Sequence, residues 1–292
     1  MKIFVSGGRG FIASYVIEEL QKLGHKIITN VRAQDIVDEQ LYADNITRYV
    51  VDMRDKAGIY SIIQKVDGVI HLAGLLGTAE NMRQAELMNE VNIGGALNVL
   101  NACDQFDVPA SFIGVGNHLE NNPYSISKTT AERYALMYAK YFNTRVNVTR
   151  TWDAVGPRQK WGKINKILPT FINKALRNED ILVYGGKDKC ATIDLIYVGD
   201  IAKILVKSLE EATRGNKGNI FEAGSGIPIR VWDIAELVID ACDSKSRIVE
   251  VPMRPGESEG AYVVANKPYP LDSYKTLNEY LPKTIEFYRS QL

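Results

Sequence analysis

The chain reads Ser6-Gly7-Gly8-Arg9-Gly10-Phe11-Ile12-Ala13 directly after its first β-branched run, residues 2–6. Glycines at such a point permit a tight turn and a close approach of the backbone to a ligand. A helix that follows would leave its N-terminal amides free to bind a pyrophosphate. Glycine spacing alone indicates little, because many turns contain it. The strand before this stretch and the helical pattern after it favour a dinucleotide-binding turn over a plain turn.

Beyond this turn, short β-branched runs alternate with helical patterns, as parallel βαβ units require. The predicted strands of the first half are residues 2–6, 26–31, 47–52, 68–73, 110–115 and 145–151, and the predicted helices lie near 11–23, 55–65, 80–105 and 124–142. This order predicts an α/β fold with a doubly wound parallel sheet. Ligands of such sheets bind at the carboxyl ends of the strands.

The alternation loosens after Gly156-Pro157. Helices are predicted near 164–178, 200–213 and 231–242, and strands near 181–185, 191–198, 219–223 and 247–251. We expect residues 1–156 to form the cofactor-binding domain. Residues 157–292 should form mainly a smaller mixed α/β substrate lobe, with part of residues 190–223 returning to the large sheet.

The composition is that of an ordinary globular protein, with 46% hydrophobic and 24% charged residues. Its 35 basic and 35 acidic residues balance, so there is no basic excess for a nucleic acid partner. The three cysteines are widely spaced and lack a C-x-x-C pair, which argues against a metal site or a disulfide framework. No apolar run reaches the about 18 residues of a membrane span, and the N-terminus lacks a signal-peptide core. We therefore expect a cytoplasmic protein without nucleic acid, membrane or metal partners.

Two further segments end predicted strands on the same side of the sheet as the glycine turn. Asp52-Met53 ends the third strand, where an adenine edge would lie. Leu72-Ala73-Gly74 ends the fourth, where small residues let a backbone approach a cofactor. Each segment, taken singly, could equally be the end of a buried strand.

Tyr124 and Lys128 stand four residues apart at the start of the helix predicted after the fifth strand. Side chains at this spacing share one helical face. A nearby ammonium favours the phenolate, so we expect the pKa of Tyr124 to fall from about 10 towards neutrality. Tyr124 would then suit acid/base chemistry at a sugar-like hydroxyl. The spacing is uninformative by itself in a chain with 15 tyrosines, and a surface helix with a solvated lysine is the alternative.

The chain resembles the extended short-chain dehydrogenase/reductases that modify nucleotide sugars, the NAD(P)-dependent epimerase/dehydratase group. The resemblance covers nearly the whole chain, through SGGRGFIA, VDMRD, VIHLAG, VNIGGALNVLNAC, NPYSISKTTAE, RTWDAVGPRQ, ATIDLIYVGDIA and RPGE in this order. It implies a Rossmann domain in which Tyr124 is the catalytic acid/base. Lys128 would hold the nicotinamide ribose and lower the pKa of Tyr124.

The resemblance completes the predicted cofactor site. Asn92 would be a supporting polar residue, although a buried helix asparagine bonded to backbone is as good an interpretation. The whole predicted site consists of Gly7, Arg9, Gly10, Phe11, Ile12, Arg32, Asp52, Met53, Leu72, Ala73, Gly74, Asn92, Tyr124 and Lys128.

The resemblance also implies a site for the nucleotide sugar. Asp153 stands where the family usually has an asparagine, in the segment before Gly156. Arg230 and Arg254 fall where the family often binds the nucleotide diphosphate, although either could be a solvated surface arginine. The predicted substrate residues are Asp153, Arg158, Arg230 and Arg254.

The family's dehydratases carry an Asp-Glu pair beside their catalytic hydroxyl residue, and the matching stretch here is Gly114-Val115-Gly116-Asn117. Dehydration is therefore not expected. We predict hydride transfer at C4 of a nucleotide sugar, by an epimerase or a 4-keto reductase, in the synthesis of surface polysaccharide precursors. A catalytically weakened NAD(P)-binding regulator is the alternative, and an assembly or RNA-associated scaffold is a more distant one.

A serine or threonine usually precedes the family's catalytic tyrosine by about two dozen residues. Here Gly116 and Tyr124 are only 8 positions apart, and the hydroxyl position holds Gly or Val. The candidates for the missing hydrogen-bond donor are Asn117 and His118. We predict that Asn117 donates this bond, because it lies closer to the strand end, and an ordered water is the alternative. The nearby hydroxyls should lie inside the strand or off the Tyr124 face: Ser111, Ser125 and Ser127.

The second predicted strand ends Asn30-Val31-Arg32, without the acidic residue that NAD-preferring relatives usually carry. Arg32 and Arg9 could bind a 2′-phosphate, so NADP is favoured over NAD. The alternative is that Arg32 points into solvent and Asp35 supplies the acidic group.

Relatives commonly dimerise through the two helices that correspond to residues 80–105 and 124–142. The second of these helices carries an apolar surface wider than one core-facing stripe needs. We therefore predict a homodimer whose contact includes Ala131, Tyr134, Ala135, Tyr138 and Tyr141.

Overall fold

The computed structural model describes residues 1–32, 46–162 and 164–292. Seven parallel strands form a central sheet: β1 (Lys2–Ser6), β2 (Lys26–Val31), β3 (Ile46–Val50), β4 (Gly68–His71), β5 (Ala110–Val115), β6 (Val146–Thr151) and β10 (Ile220–Ala223). Their order is β10-β6-β5-β4-β1-β2-β3. The chain order reverses between β1 and β4, and a crevice forms at the carboxyl ends of these strands. The predicted doubly wound parallel sheet is confirmed.

Helices cover both faces of this sheet. On one face lie α2 (Lys56–Ile63), α4 (Gly95–Gln105) and α5 (Pro123–Tyr141), which pack on the strands through side chains such as Ile62, Leu100 and Ala135. On the other lie α1 (Phe11–Lys22) and α8 (Val198–Thr213), which pack through Leu20 and Leu205. Each fully buried aliphatic side chain of this kind contributes about 1.5–3 kcal/mol. In the described part of the chain, no helix combines the length and apolar character that a bilayer crossing requires.

The helix predicted over residues 80–105 is interrupted. It consists of a 3₁₀ turn (Ala79–Asn81), the short helix α3 (Ala85–Met88), a π-helical segment (Asn89–Gly94) and α4. At the junction, Gly95 lies so close to Met53 that a Cβ on the glycine would come within 2.9 Å of Met53 Cβ. π-helical segments are rare and often occur at functional sites. This one carries Asn92.

The C-terminal half forms the smaller mixed lobe. One sheet consists of β7 (Asp153–Val155), β9 (Thr192–Tyr197), β11 (Pro228–Arg230) and β13 (Tyr262–Val263), and a parallel pair consists of β8 (Ile181–Tyr184) and β12 (Ile248–Val251). The helices α6 (Ile167–Leu176), α9 (Val231–Ala241) and α10 (Leu277–Arg289) pack around these strands, and α7 (Gly186–Lys189) is a single turn. Two elements of this half of the chain belong to the large sheet instead: β10 is one of its strands, and α8 packs on one of its faces.

The ATIDLIYVGDIA segment contains Asp194 of β9, whose side chain has a structural role. The side chain is fully buried and accepts hydrogen bonds from the backbone N–H groups of Ser225 (2.8 Å), Gly226 (2.8 Å) and Ala265 (3.2 Å). A carboxylate satisfied by several donors tolerates burial. Asp194 therefore fixes the loop that leaves β10 against the lobe.

Candidate active site

The glycine turn between β1 and α1 is shaped by close contacts. Gly7 has a φ of +71°, a conformation that favours glycine, and a Cβ there would lie 3.0 Å from Ala73 Cα. A Cβ on Gly8 would overlap Thr29 Oγ1 at 1.8 Å. Gly10 stands at the N-cap of α1 and has no side chain to cap it. The turn can therefore receive a pyrophosphate at the start of α1.

Asn30, at the end of β2, holds this turn in place. The Gly7 N–H donates to Asn30 Oδ1 at 2.9 Å, and Asn30 Nδ2 donates to the Val51 carbonyl at 2.8 Å. Asn30 Nδ2 also lies 3.4 Å from the sulfur of the buried Met53. The sequence pattern drew attention to Asn30 only because an acid was missing there. Its structural role comes from contacts with the segments that follow β1 and β3.

Asp52 is engaged by a neighbouring arginine. The Arg54 guanidinium donates to both Asp52 carboxylate oxygens, at 2.9 and 3.1 Å. Hydrogen bonds from Arg54 lower the pKa of Asp52, and the charge of Arg32 adds to this effect. Arg32 therefore lies close to Asp52 at the edge of the predicted adenosine site. Asp35, the alternative acidic residue, lies outside the described residues.

The end of β4 is fixed by the hydroxyl of Ser6. Ser6 Oγ accepts hydrogen bonds from the backbone N–H groups of Leu72 (2.9 Å) and Ala73 (3.0 Å), and it lies 2.8 Å from His71 Nδ1. Burial lowers the pKa of His71 to about 3, and the nearby charge of Lys128 contributes. A neutral, buried His71 thus lies between the glycine turn and Lys128.

Asn92, in the π-helical segment, joins β4 to α5. Its Oδ1 accepts from the Leu75 N–H at 2.7 Å, and its Nδ2 donates to the Leu75 carbonyl at 3.2 Å and to Ser127 Oγ at 3.0 Å. A Cβ on Gly74 would lie 3.0 Å from Asn92 Oδ1. Asn92 is therefore bonded to backbone, and these same bonds position the segment after β4 against the tyrosine helix.

The start of α5 sets the position of Tyr124 and Lys128. Pro123 occupies the first turn, and Asn122 caps the helix by accepting the Ser125 N–H at 2.9 Å. Lys128 is only 6% exposed, and its ammonium makes no hydrogen bond or ion pair with the residues that the structure describes. Burial lowers the pKa of Lys128 to about 8. Its charge acts on His71, and the charge of Glu132 partly offsets the effect of burial on the Lys128 pKa.

The expected lowering of the Tyr124 pKa is not found. Burial raises the pKa of Tyr124, and the negative charge of Asp153 raises it further. Both side chains lie deep in the crevice yet keep part of their surface accessible. The charge of Asp153 therefore acts on the phenol, and the protein alone keeps the proton on Tyr124.

Two serine hydroxyl groups near the crevice already form hydrogen bonds with other parts of the protein. Ser111 Oγ bonds Ser208 Oγ at 2.9 Å inside the fold, and Ser127 Oγ donates to the Tyr124 carbonyl at 3.0 Å. His118 Nδ1 lies 2.9 Å from the Gly116 carbonyl. A carbonyl only accepts, so Nδ1 donates in this contact. The Nδ1–H of His118 is therefore already bonded within its own loop and is not free to replace the family's hydroxyl.

Asn117 keeps its side-chain amide available. Its backbone carbonyl accepts the Glu120 N–H at 3.2 Å, which forms the turn after β5. Its side chain makes no hydrogen bond to any residue in the described ranges. Of the two donors proposed from the sequence, the structure leaves Asn117 with a free N–H group.

Several charged side chains interact electrostatically with Asp153 or Lys166, and we call this group the charged cluster. Burial raises the pKa of Asp153 to about 6, while the charge of Lys166 lowers it. Burial lowers the pKa of Lys166, and Asp153 opposes this. Neither side chain has a hydrogen bond or an ion pair within the described residues. The charged cluster consists of Glu80, Asp153, Lys166, Asp194, Arg254 and Glu257.

Arg254 lies in this cluster, but two carboxylates match its charge. Arg254 Nε lies 3.0 Å from Glu257 Oε2, and Arg254 Nη1 lies 3.3 Å from Glu80 Oε1. The guanidinium also lies 5.0 Å from the centre of the Tyr184 ring. The Asn165 N–H donates to the same Glu80 oxygen at 3.1 Å. Glu80 and Lys166 were not predicted, because no sequence pattern links these segments.

The other two predicted arginines contact different parts of the protein. Arg158 Nη2 lies 3.2 Å from Glu18 Oε2, and its guanidinium covers the Tyr15 ring at 3.9 Å. Arg230 donates to the Lys187 carbonyl. Neither arginine forms a hydrogen bond or ion pair with Tyr124 or Asp153, so the structure does not bring them into the group around the phenol.

The parallel sheet carries the glycine turn and the helix with Tyr124 and Lys128 at one edge. This is the arrangement of a short-chain dehydrogenase/reductase, an enzyme class that binds a nicotinamide dinucleotide. Within this class the chain belongs to the NAD dependent epimerase/dehydratase family, whose sequence profile matches residues 3–224. The predicted family and the prediction of an NAD-dependent enzyme of the extended type are confirmed.

Several proteins resemble the chain over nearly its whole length. A UDP-N-acetyl-alpha-D-glucosaminuronate decarboxylase of Bacillus cytotoxicus is 28% identical and covers 99% of this chain and 98% of its own. A putative UDP-glucose 4-epimerase of Methanocaldococcus jannaschii is 24% identical over 91% of this chain and 90% of its own. The fold matches that of a UDP-glucose 4-epimerase from Thermotoga maritima solved with UDP-glucose, with a TM-score of 0.87, 23% identity and coverage of 100% and 99%.

Proposed function

We propose that the protein catalyses hydride transfer at C4 of a nucleotide-activated sugar, as an epimerase or a 4-keto reductase. The observation that carries this proposal is the buried Lys128 ammonium, which has no partner in the described residues and lies one helical turn from Tyr124. An unpaired buried charge is costly, so a ligand that binds it stabilises the site. The setting we propose is the cytoplasm, in the synthesis of surface polysaccharide precursors.

The residues present fit a nicotinamide dinucleotide. The Gly7–Gly10 turn and the start of α1 would hold the pyrophosphate, and Asn30, Asp52 and Met53 would border the adenosine. Lys128 would hydrogen-bond the nicotinamide ribose. Bound NAD(P) supplies the hydride acceptor or donor.

Within this arrangement, Tyr124 moves the proton at the C4 oxygen. Its raised pKa keeps the proton on the phenol, which suits donation to a keto sugar. Lys128 supplies positive charge on the same helical face, which favours the reverse transfer from a hydroxyl. The free amide of Asn117 is the proposed donor to the reacting oxygen. Asp153 and Lys166 would contact the sugar or its diphosphate.

We propose NADP as the preferred cofactor. Arg32 lies close to Asp52, which the sequence places at the adenosine end of the site. Two guanidiniums, from Arg32 and Arg9, could bind a 2′-phosphate in this region. A reduced NADPH pool would in turn favour the 4-keto reductase over the epimerase.

We also propose a homodimer through α5, with a smaller contact than the sequence indicates. Tyr134 and Tyr141 are exposed, at 37% and 68%. Ala131, Ala135 and Tyr138 are buried in the core of the same chain, because α5 packs them against β5 and β6. The surface available to a partner therefore consists of the outer tyrosines and their neighbours.

The experiment is a panel of nucleotide sugars, with NAD⁺ and NADPH each supplied, followed by absorbance at 340 nm and product analysis. The panel includes UDP-glucuronate, because oxidation at C4 makes the C6 carboxylate of a uronate a β-keto acid that can lose CO₂. A net absorbance change, or an epimerised product without one, from at least one sugar supports the proposal. Tight cofactor binding without turnover of any sugar would instead favour the regulator, for which the absent hydroxyl at Gly116 is the one supporting observation.

A further inference from the structure

Asp153 combines three properties that no other carboxylate of the charged cluster shares. It stands where the family usually has a neutral asparagine, its charge acts on the Tyr124 phenol, and its carboxylate has no hydrogen bond or ion pair within the described residues. By contrast, Asp194 accepts several backbone N–H groups, and Glu257 binds Arg254 at 3.0 Å. Asp153 is therefore the member whose charge the protein stabilises least.

With all of its carboxylates ionised, the charged cluster disfavours the binding of a diphosphate. Four carboxylates (Glu80, Asp153, Asp194 and Glu257) face two cations (Lys166 and Arg254), and Glu80 and Glu257 already bind Arg254. A sugar nucleotide brings two more negative charges. Like charges at close range in a poorly solvated site repel strongly. Neutralising one carboxylate relieves this repulsion, and the least stabilised one is the first to take a proton.

We propose that Asp153 takes up a proton from solvent when the nucleotide sugar binds, and that it acts in the complex as a neutral carboxylic acid. In that form its O–H donates a hydrogen bond, as the amide of the family's usual asparagine can. This inference rests on the proposed function, because the diphosphate of the substrate provides the charge that drives the proton uptake.

The groups around Asp153 come from four parts of the fold. Tyr124 faces it from α5, Lys166 from the N-cap of α6, Asp194 from β9 and Glu257 from the segment before β13. Burial is the main cause that raises the pKa of Asp153, the two carboxylates add to it, and of the described groups only Lys166 opposes protonation. The charge of a bound dianion raises this pKa further, in the same direction as the two carboxylates.

Protonation of Asp153 would also act on catalysis. The charge of Asp153 is one of the two causes that raise the pKa of Tyr124. When that charge disappears, ionisation of the phenol becomes easier. Substrate binding and activation of the acid/base residue would thus be coupled through one carboxyl group.

The test is isothermal titration calorimetry of the cofactor-loaded protein with UDP-glucose at pH 7, in two buffers of different ionisation enthalpy. The diphosphate diester of UDP-glucose does not itself titrate near neutrality. We expect the wild-type protein to take up roughly half a proton or more per bound ligand. Its Kd should rise by up to about tenfold per pH unit between the pKa of Asp153 in the free protein and its pKa in the complex, and should level off above the latter.

The matched variant is Asp153→Asn, which keeps the shape and restores the residue usual in the family. It should bind UDP-glucose without proton uptake, and with a Kd that stays within about twofold between pH 6 and pH 8.5. Glu80→Gln is the control for uptake by another carboxylate of the cluster, and it should retain the proton uptake. A second variant, Lys166→Gln, removes the cation that lowers the Asp153 pKa and should move the maximum of uptake to higher pH.

Binding of UDP-glucose without proton uptake by the wild type would overturn the inference and leave the proposed function intact. Uptake that persists in Asp153→Asn would also overturn it, because another group would then carry the proton. If neither UDP-glucose nor dTDP-glucose binds at all, both the proposed function and this inference are wrong.

Discussion

The indole of Trp152 occupies the space that a side chain at Gly116 would need: a Cβ on Gly116 would lie 2.7 Å from Trp152 Cδ2. Trp152 Nε1 is buried and has no hydrogen-bond partner among the described residues. The absent hydroxyl and the tryptophan are therefore parts of one packing arrangement. A serine cannot be restored at this position without moving the ring.

Gly116→Ser should lower stability without raising activity. Overpacking of a filled site costs about 1–3 kcal/mol, and each kcal/mol lowers Tm by roughly 2–4 °C in a protein of this size class. Thermal unfolding and kcat should be measured together. The double variant Gly116→Ser/Trp152→Phe has a smaller ring and should recover part of the lost Tm. A single variant with wild-type Tm and increased kcat would show that the hydroxyl position is open after all.

Tyr124→Phe should abolish turnover and leave cofactor affinity within a few-fold of wild type. The ring remains and only the proton donor is lost, so kcat should fall by roughly 10²–10⁴. Cofactor binding can be followed by the fluorescence of bound NAD(P)H. Tyr134→Phe, on the outer face of the same helix, is the matched control and should keep wild-type kcat. Comparable activity in Tyr124→Phe would remove Tyr124 from the mechanism.

Cofactor choice depends on Arg32 in our proposal. Arg32→Ala should raise the Kd for NADPH by about tenfold, since one charge-assisted hydrogen bond to the 2′-phosphate is lost. The Kd for NADH should stay within about twofold, which provides an internal control. Fluorescence titration measures both constants. The proposal is wrong if NADH binds more tightly than NADPH and the substitution leaves NADPH affinity unchanged.

Acid should destabilise the protein through His71. Its pKa is about 3 in the fold against an ordinary 6.5, so its contribution to stability is fully present above pH 6.5. Between pH 6.5 and 3 the unfolded chain binds a proton that the folded protein does not. The free energy of unfolding therefore falls by about 1.4 kcal/mol per pH unit.

Urea unfolding at pH 6.5 and 4.5 can measure this effect. His71→Asn should lose roughly 2–3 kcal/mol less between the two pH values than the wild type does. Equal acid sensitivity of His71→Asn and wild type would contradict the assignment.

Dimerisation through α5 predicts that a charge at Tyr134 disrupts assembly. Tyr134→Glu should be a monomer by light scattering at micromolar concentration, while the wild type should be a dimer. Tyr262→Glu introduces the same charge at another exposed tyrosine, 67% accessible on β13, and should remain a dimer. A monomeric wild-type protein would reject the proposal outright.

Local features of the site could be predicted from the sequence, and features built by distant segments could not. The glycine turn and the Tyr124–Lys128 pair depend on neighbouring residues, so their spacing, together with their position between a predicted strand and a predicted helix, carries the information. The predicted sign of the Tyr124 pKa shift was wrong because burial raises this pKa, and the charge of Asp153, from another strand, raises it further. Glu80 and Lys166 meet near Arg254 only through the folding of three separate segments. The π-helical break at Asn89–Gly94, next to the close contact of Gly95 with Met53, is likewise invisible to helical periodicity.

The central claim is that hydride moves between a sugar C4 and the nicotinamide while Tyr124 moves the proton. The most direct test uses nucleotide sugars deuterated at C4, incubated with the cofactor-loaded protein, quenched rapidly and analysed by mass spectrometry of the released cofactor. We predict deuterium in the cofactor for at least one of UDP-glucose, UDP-N-acetylglucosamine, UDP-glucuronate and dTDP-glucose, and none with Tyr124→Phe. If the wild type binds cofactor and sugar but no deuterium reaches the nicotinamide from any of them, the account is contradicted.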